Sequence, residues 1–214
     1  MRLVRFTSRA LARLWLMTLA CLALGSLPAR ADLIEGTHYQ VLSPAQPPQT
    51  PGKIEVVEFF SYACSHCFDM HPKISKWAAS LPSNVQFVRI PTALGRRDWG
   101  ALVRTFYALE SLGELQRFDT AIFDAIHRDR VRLFDETNIT NWLAQQGVPA
   151  GKFSAAFNSS EISEKALRAE RMAHDYRVSG TPYVVVGGKY VAVGRTHDET
   201  LSVARQLIDK VSGE

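Results

Sequence analysis

The sequence predicts an α/β fold in which a small sheet flanked by helices is interrupted by a long helical block. Three observations carry that expectation. Ile54 to Phe60 is a nearly continuous apolar run of β-branched and aromatic residues, as expected of a strand buried on both faces in a sheet with parallel members. From Asp98 to Tyr176 the apolar period turns helical and stays so. Beyond Gly180-Thr181-Pro182 the pattern returns to short extended segments around Gly187-Gly188.

Residues 1–31 read as an export leader. Arg2, Arg5, Arg9 and Arg13 precede an apolar stretch from Leu14 to Leu24, and Ala29-Arg30-Ala31 supplies the small residues a signal peptidase requires. The apolar core is short for a membrane span, and no paired arginine marks the folded-protein export route, so a cleavable Sec-type signal peptide is expected. The whole chain holds 25 Lys and Arg against 21 Asp and Glu. Five of those cations and none of the acids lie in the leader, leaving 20 against 21 and a net charge of −1. The basic sequence pI of about 9.1 thus comes from the leader, and no basic stripe remains to bind nucleic acid. Cys21 also leaves with it, so Cys64 and Cys67 are the cysteines of the mature chain.

Asp32 to Lys53, rich in proline and glutamine, reads as an arm hugging the surface, with Val41-Leu42 as an edge strand. The strand Ile54 to Phe60 leads into a helix from Cys64 to Ser80, kinked or restarted at Pro72, and then a strand from Val85 to Ile90. In the helical block, Trp99, Leu102, Val103, Phe106 and Leu109 share one face; Leu115, Phe118, Ile122 and Ile126 share another; Ile139, Trp142 and Leu143 mark a third segment. Strands over Tyr183 to Val186 and Lys189 to Val193 and a helix from Asp198 to Val211 close the chain. The order β, α, β, helical block, β, β, α is that of a thioredoxin fold with an inserted helical domain. The thioredoxin-like domain is expected over 32–96 and 177–214, and the insertion over 97–176.

Cys64-Ser65-His66-Cys67 stands at the mouth of the first strand-to-helix turn. Two intervening residues let one helical turn bring both sulfurs together, so the pair can cycle between dithiol and disulfide. Cys64, at the helix start, is the expected thiolate, because unpaired N–H groups and the macrodipole favour negative charge there. Structural zinc needs about two more ligands at suitable spacing, and a purely structural bridge would close a loop too short to restrict the unfolded chain much. A carrier binding metal through Cys64, His66 and Cys67 is the reading from a different class. His66 either stabilises the Cys64 thiolate or is a solvated turn residue. Glu58 either shuttles a proton to Cys67 from a buried position, or lies exposed or paired with Arg89. Asp69 and His71 read as exposed helix residues. A cis bond before Pro182 is uncommon on general grounds, although its placement raises the odds.

The sequence resembles the DsbA family of periplasmic thiol:disulfide interchange proteins through three segments: Val57-Glu58-Phe59-Phe60-Ser61-Tyr62-Ala63-Cys64-Ser65-His66-Cys67-Phe68, Val178-Ser179-Gly180-Thr181-Pro182 and Val186-Gly187-Gly188-Lys189-Tyr190. The resemblance implies that Cys64 is the sulfur attacked by substrate, Cys67 its buried partner, and His66 the stabiliser of the Cys64 thiolate. It makes Glu58 the buried acid and Pro182 a cis proline, with Thr181 before it offering backbone hydrogen bonds to a bound peptide. Ser65 departs from the pattern, standing where familiar members carry proline. The function implied is donation of the Cys64–Cys67 disulfide to newly exported polypeptides in the periplasm, without a bound cofactor or metal. Reoxidation by a DsbB-like, quinone-linked membrane protein is implied with it. A disulfide reductase or isomerase is the same-fold alternative; an isomerase usually brings a dimerisation domain, none is visible, and a monomer is expected.

Overall fold

A computed structural model describes residues 32–214; the expected leader, residues 1–31, and Cys21 lie outside them. The strands are β1 (Tyr39–Val41), β2 (Ile54–Phe60), β3 (Val85–Pro91), β4 (Tyr183–Val186) and β5 (Tyr190–Ala192). They form a sheet in the order β1-β5-β4-β2-β3. β2 and β3 run parallel, while β2 with β4, β4 with β5, and β1 with β5 are antiparallel. A parallel pair needs a crossover, and α1 (Ser65–Ala78) supplies it. Pro72 lies inside α1 without dividing it, so the expected restart does not occur.

Between β3 and β4 come α2 (Gly100–Ser111), α3 (Leu115–His127), α4 (Glu136–Gln145), α5 (Ala150–Phe157) and α6 (Ser160–Asp175), and after β5 comes α7 (His197–Ser212). The side chains of Asp135, Ser159 and Thr196 cap α4, α6 and α7 by accepting main-chain N–H groups three residues on.

The apolar run of β2 is explained by burial on both faces. Successive side chains of a strand point to opposite sides. Val57 and Phe59 enter a core with Leu102, Phe106, Leu109, Phe118, Ile122 and Phe123 of the helical block. Val56 joins a second core with Met70 and Ile74 of α1, Val184 and Val186 of β4, and Leu207 of α7. Each such side chain, fully buried, contributes roughly 1.5–3 kcal/mol, so β2 is the strand that both layers depend on.

The N-terminal arm is tied to the β4–β5 hairpin through Leu42 N–H donating to the Lys189 carbonyl at 2.7 Å and Gln46 N–H donating to that of Gly188 at 2.8 Å. Gly187 and Gly188 form the expected turn, with φ of 60° and 64°. At Gly188 a Cβ would stand 2.0 Å from the Gln46 carbonyl oxygen, so the arm's approach requires glycine.

Candidate active site

β2 ends at Phe60, and the chain turns through Ser61, Tyr62 and Ala63 into α1. Cys64 is the N-cap of α1, in extended conformation, and Cys67 lies on the helix's first turn. Both are free thiols; Cys64 is half-buried and Cys67 buried. Cys64 thus reaches the surface while its partner lies beneath it, as helical spacing requires.

The Cys64 thiol donates to the main-chain carbonyl of Thr181 at 3.3 Å, and the Thr181–Pro182 peptide bond is cis. The Cys64 pKa is lowered from 9.0 to about 5, first by the Cys67 thiol donating to it. A hydrogen bond from the Thr181 side chain and the N–H groups of Cys67 and His66 lower it further, against the opposing effect of burial. Those N–H groups are the orphan donors of a helix start, and a thiolate there takes the place of a capping oxygen. In the dithiol form they face the sulfur without closing a regular capping hydrogen bond. Cys67 is shifted the opposite way: burial raises its pKa far above 9.0, and the sulfur and charge of Cys64 and the charge of Glu58 add to the rise.

The structure places His66 at the exposed edge of this turn. Its main-chain N–H reaches towards Cys64, while its ring lies edge-on to that of His197 at 6.5 Å between centroids. His66, Thr181, Pro182, Arg195 and His197 line one cleft of about 650 Å³ beside Cys64. Phe68, which follows Cys67, stacks on the His127 ring at 5.0 Å, and His127 Nε2 lies 2.8 Å from the Tyr62 carbonyl oxygen.

Glu58 is both buried and paired. It is 1% exposed, and Arg89, directly opposite it on β3, donates Nε to Glu58 Oε2 at 2.9 Å. The exposed-face alternative is therefore removed. Burial raises the Glu58 pKa, opposed by Arg89 and helped by Asp119. Arg89 also bonds Asp119 of α3, which accepts from the Tyr62 hydroxyl at 2.6 Å. His71 corrects the expectation of an exposed residue: it is 6% exposed, its Nε2 is 2.9 Å from Thr120 Oγ1 and 3.9 Å from Asp119 Oδ2, and burial lowers its pKa. Asp69 is exposed as expected.

Sequence reasoning missed Asp119, Tyr62, His71 and His197 as members of this neighbourhood. Arg89 is the partner the sequence offered for Glu58, since an arginine interrupts an otherwise apolar strand, and the two are paired. Nothing local marks Asp119, which folding alone brings to Arg89. Among the described residues no group of three or more His, Cys, Asp or Glu side chains is gathered as a metal site.

Comparisons with known proteins agree with this arrangement. A family model described as a DSBA-like thioredoxin domain matches residues 70–204. A thiol:disulfide interchange protein DsbA of Pseudomonas syringae is 37% identical over 188 residues, covering 86% of this chain and 87% of the relative. Its counterpart in Pseudomonas aeruginosa is 38% identical over 202 residues, covering 91% and 95%. The crystal structure of Pseudomonas aeruginosa DsbA superposes with a TM-score of 0.80 at 38% identity, over 85% of this chain and 96% of that one. That of an oxidoreductase DsbA from Xylella fastidiosa does so with 0.80 at 31% identity, over 85% and 99%.

Proposed function

The chain belongs to the DsbA family of thiol:disulfide interchange proteins, and we propose that it oxidises cysteine pairs of newly exported polypeptides by passing them the disulfide of Cys64 and Cys67. The observation that carries this reading is the opposition between the two thiols: Cys64, lowered to about 5, is a stable thiolate at neutral pH, whereas burial keeps Cys67 protonated. A low-pKa thiol leaves readily, and stabilising the reduced protein makes it an oxidant.

In the oxidising direction a substrate thiolate attacks Cys64 Sγ, the Cys64–Cys67 bond breaks, and Cys67 leaves with the electron pair and takes up a proton. The resulting mixed disulfide is attacked by the second substrate thiolate. Cys64 then departs as a thiolate, so the substrate has lost two electrons and the protein has gained them. Glu58, near enough to Cys67 to raise its pKa, is the proposed source of the proton. The cleft beside Thr181 and Pro182 is the proposed seat for the substrate backbone, with His66 at its rim. The division into a thioredoxin-like domain over 32–96 and 177–214 and a helical insertion over 97–176 belongs to the same proposal.

We further infer a periplasmic location, from the leader and the family, and a quinone-linked, DsbB-like membrane protein as the reoxidant. Equilibration with a glutathione redox buffer, together with catalysed oxidation of a reduced protein, tests the function. An oxidising equilibrium with turnover supports it. A potential in the thioredoxin range would instead make the chain a reductase.

A further inference from the structure

The buried carboxylate beside Cys67 is not alone with its arginine. Glu58 and Arg89 are joined by a third charged group, Asp119, on a helix of the inserted block. One guanidinium serves two carboxylates, and in a site largely cut off from water such a cluster is best balanced when one of the two carries a proton.

The surroundings decide which one. Asp119 accepts from the Tyr62 hydroxyl and from Arg89, has His71 Nε2 at 3.9 Å, and is 18% exposed at the edge of a cleft of about 630 Å³ between α1, α2, α3 and β3. Glu58 is 1% exposed, with Arg89 Nε as its donor. The groups around Glu58 are Arg89 from β3, Asp119 from α3, Tyr62 from the turn after β2, and Cys67 from α1, while His71 of α1 faces Asp119. Glu110 of α2 lines the cleft farther out, and β4 sets the apolar Val184 opposite Glu58. Negative charge is therefore better held at Asp119.

We propose that Asp119 is a positioning residue for the disulfide chemistry: by holding the charge of Arg89 it keeps Glu58 protonated in the oxidised protein, ready to protonate Cys67. The proposal rests on the oxidant reading given above. When substrate breaks the Cys64–Cys67 bond, the electron pair goes to Cys67 Sγ and the proton passes from Glu58 to that sulfur. On reoxidation Cys67 returns the proton to the Glu58 carboxylate as its sulfur re-forms the disulfide, and the cycle balances. Without the Asp119 charge, Arg89 would pair with Glu58 alone and hold it ionised, leaving Cys67 to depart as a thiolate in a desolvated site.

The test is an infrared titration of the oxidised mature protein, following the protonated-carboxyl band that Glu58→Gln removes. Because the two carboxylates share one guanidinium, the comparison is made between variants and not read from one curve. The band is expected to persist through neutral pH in the unmodified protein. In Asp119→Asn it should vanish about one pH unit lower or more, and Asp119→Glu should restore it. If the Asn variant does not fold, Asp119→Ala removes the same charge and must give the same shift. Stopped-flow attack of a reduced peptide on the disulfide at neutral pH should be about tenfold slower in Asp119→Asn, and no slower in Glu58→Gln/Asp119→Asn than in Glu58→Gln. A band that titrates identically with and without Asp119, or an equal slowing in the Glu58→Gln background, overturns the proposal. The titration reads a resting carboxyl, so it stands apart from the turnover assay that judges the oxidant reading.

Discussion

The Cys64 thiol and the Thr181 carbonyl oxygen, 117 positions apart in sequence, meet at 3.3 Å. This contact ties the start of α1 to the loop that re-enters the sheet at β4, so the half-buried sulfur lies against Thr181, a residue of the cleft wall, and Cys67 stays buried.

That arrangement supports the proposed roles of the two sulfurs. Cys67→Ser should trap substrate on Cys64 as a mixed disulfide that cannot be resolved internally, and non-reducing gels of the variant incubated with an activated peptide disulfide should show a stable adduct. Cys64→Ser should show none, since its remaining thiol is buried and protonated at neutral pH. Adducts on Cys64→Ser alone would reverse the assignment.

Arg89 between Glu58 and Asp119 makes an unequal pair of liabilities. In the reduced protein, where Glu58 has given its proton to Cys67, Arg89→Met should cost about 3–5 kcal/mol, because breaking a buried pair leaves an uncompensated charge. Asp119, at the rim, can turn to water; Glu58 cannot. Glu58→Gln added to Arg89→Met should therefore recover much of the loss in urea denaturation. A double variant no more stable than Arg89→Met alone would show that the cost lies in lost packing on Phe60, over whose ring the guanidinium sits at 3.9 Å.

The thioredoxin-like order of elements was legible because each piece has its own local signal: the apolar run of β2, the helical period of 98–176, and the double glycine before β5. The Cys64–Cys67 pair and its polarity were legible too, since a helix start and a helical turn are sequence-local. What escaped was set by contacts between distant segments. Asp119 and Tyr62 look like ordinary helix and turn residues until α3 is laid beside β3. His71 follows the polar face of α1 by pattern, yet that face is covered by α3 and Phe123, whose ring is 4.9 Å from it. Pro72 was read as a kink or restart because proline forfeits one helical hydrogen bond, but packing on both sides of α1 keeps it one helix.

Two glycines separate stability from function. At Gly194 a Cβ would stand 2.4 Å from Thr200 N, in the first turn of α7; at Gly188 it would meet the Gln46 carbonyl. Each alanine substitution should cost about 2–4 kcal/mol in thermal or urea unfolding, since backbone must move in both. Only Gly194→Ala should also weaken substrate oxidation, because shifting the start of α7 displaces His197 and Arg195 in the cleft. Equal kinetic effects at a temperature where both variants are folded would exclude a role for that cleft.

The lowered Cys64 pKa makes the stability of the reduced protein depend on pH with a definite sign. A thiol at about 5 in the folded chain and 9.0 ordinarily binds more protons when unfolded throughout that window, so stability rises with pH between the two values. The limiting slope for one proton is about 1.4 kcal/mol per pH unit, and solvent at this half-exposed site narrows the window without changing the slope. The contribution is fully present above 9.0 and is lost as pH falls through about 5. The oxidised form lacks it and keeps the loop-closure effect of its disulfide, on the order of 2 kcal/mol for so short a loop. The two stability curves should therefore cross, with the disulfide form more stable in acid and the dithiol form more stable on the alkaline side. Urea unfolding of both forms from pH 4 to 9 checks this. A gap between them that stays constant with pH would mean that Cys64 is no thiolate in the folded protein, and the oxidant reading would lose its physical basis.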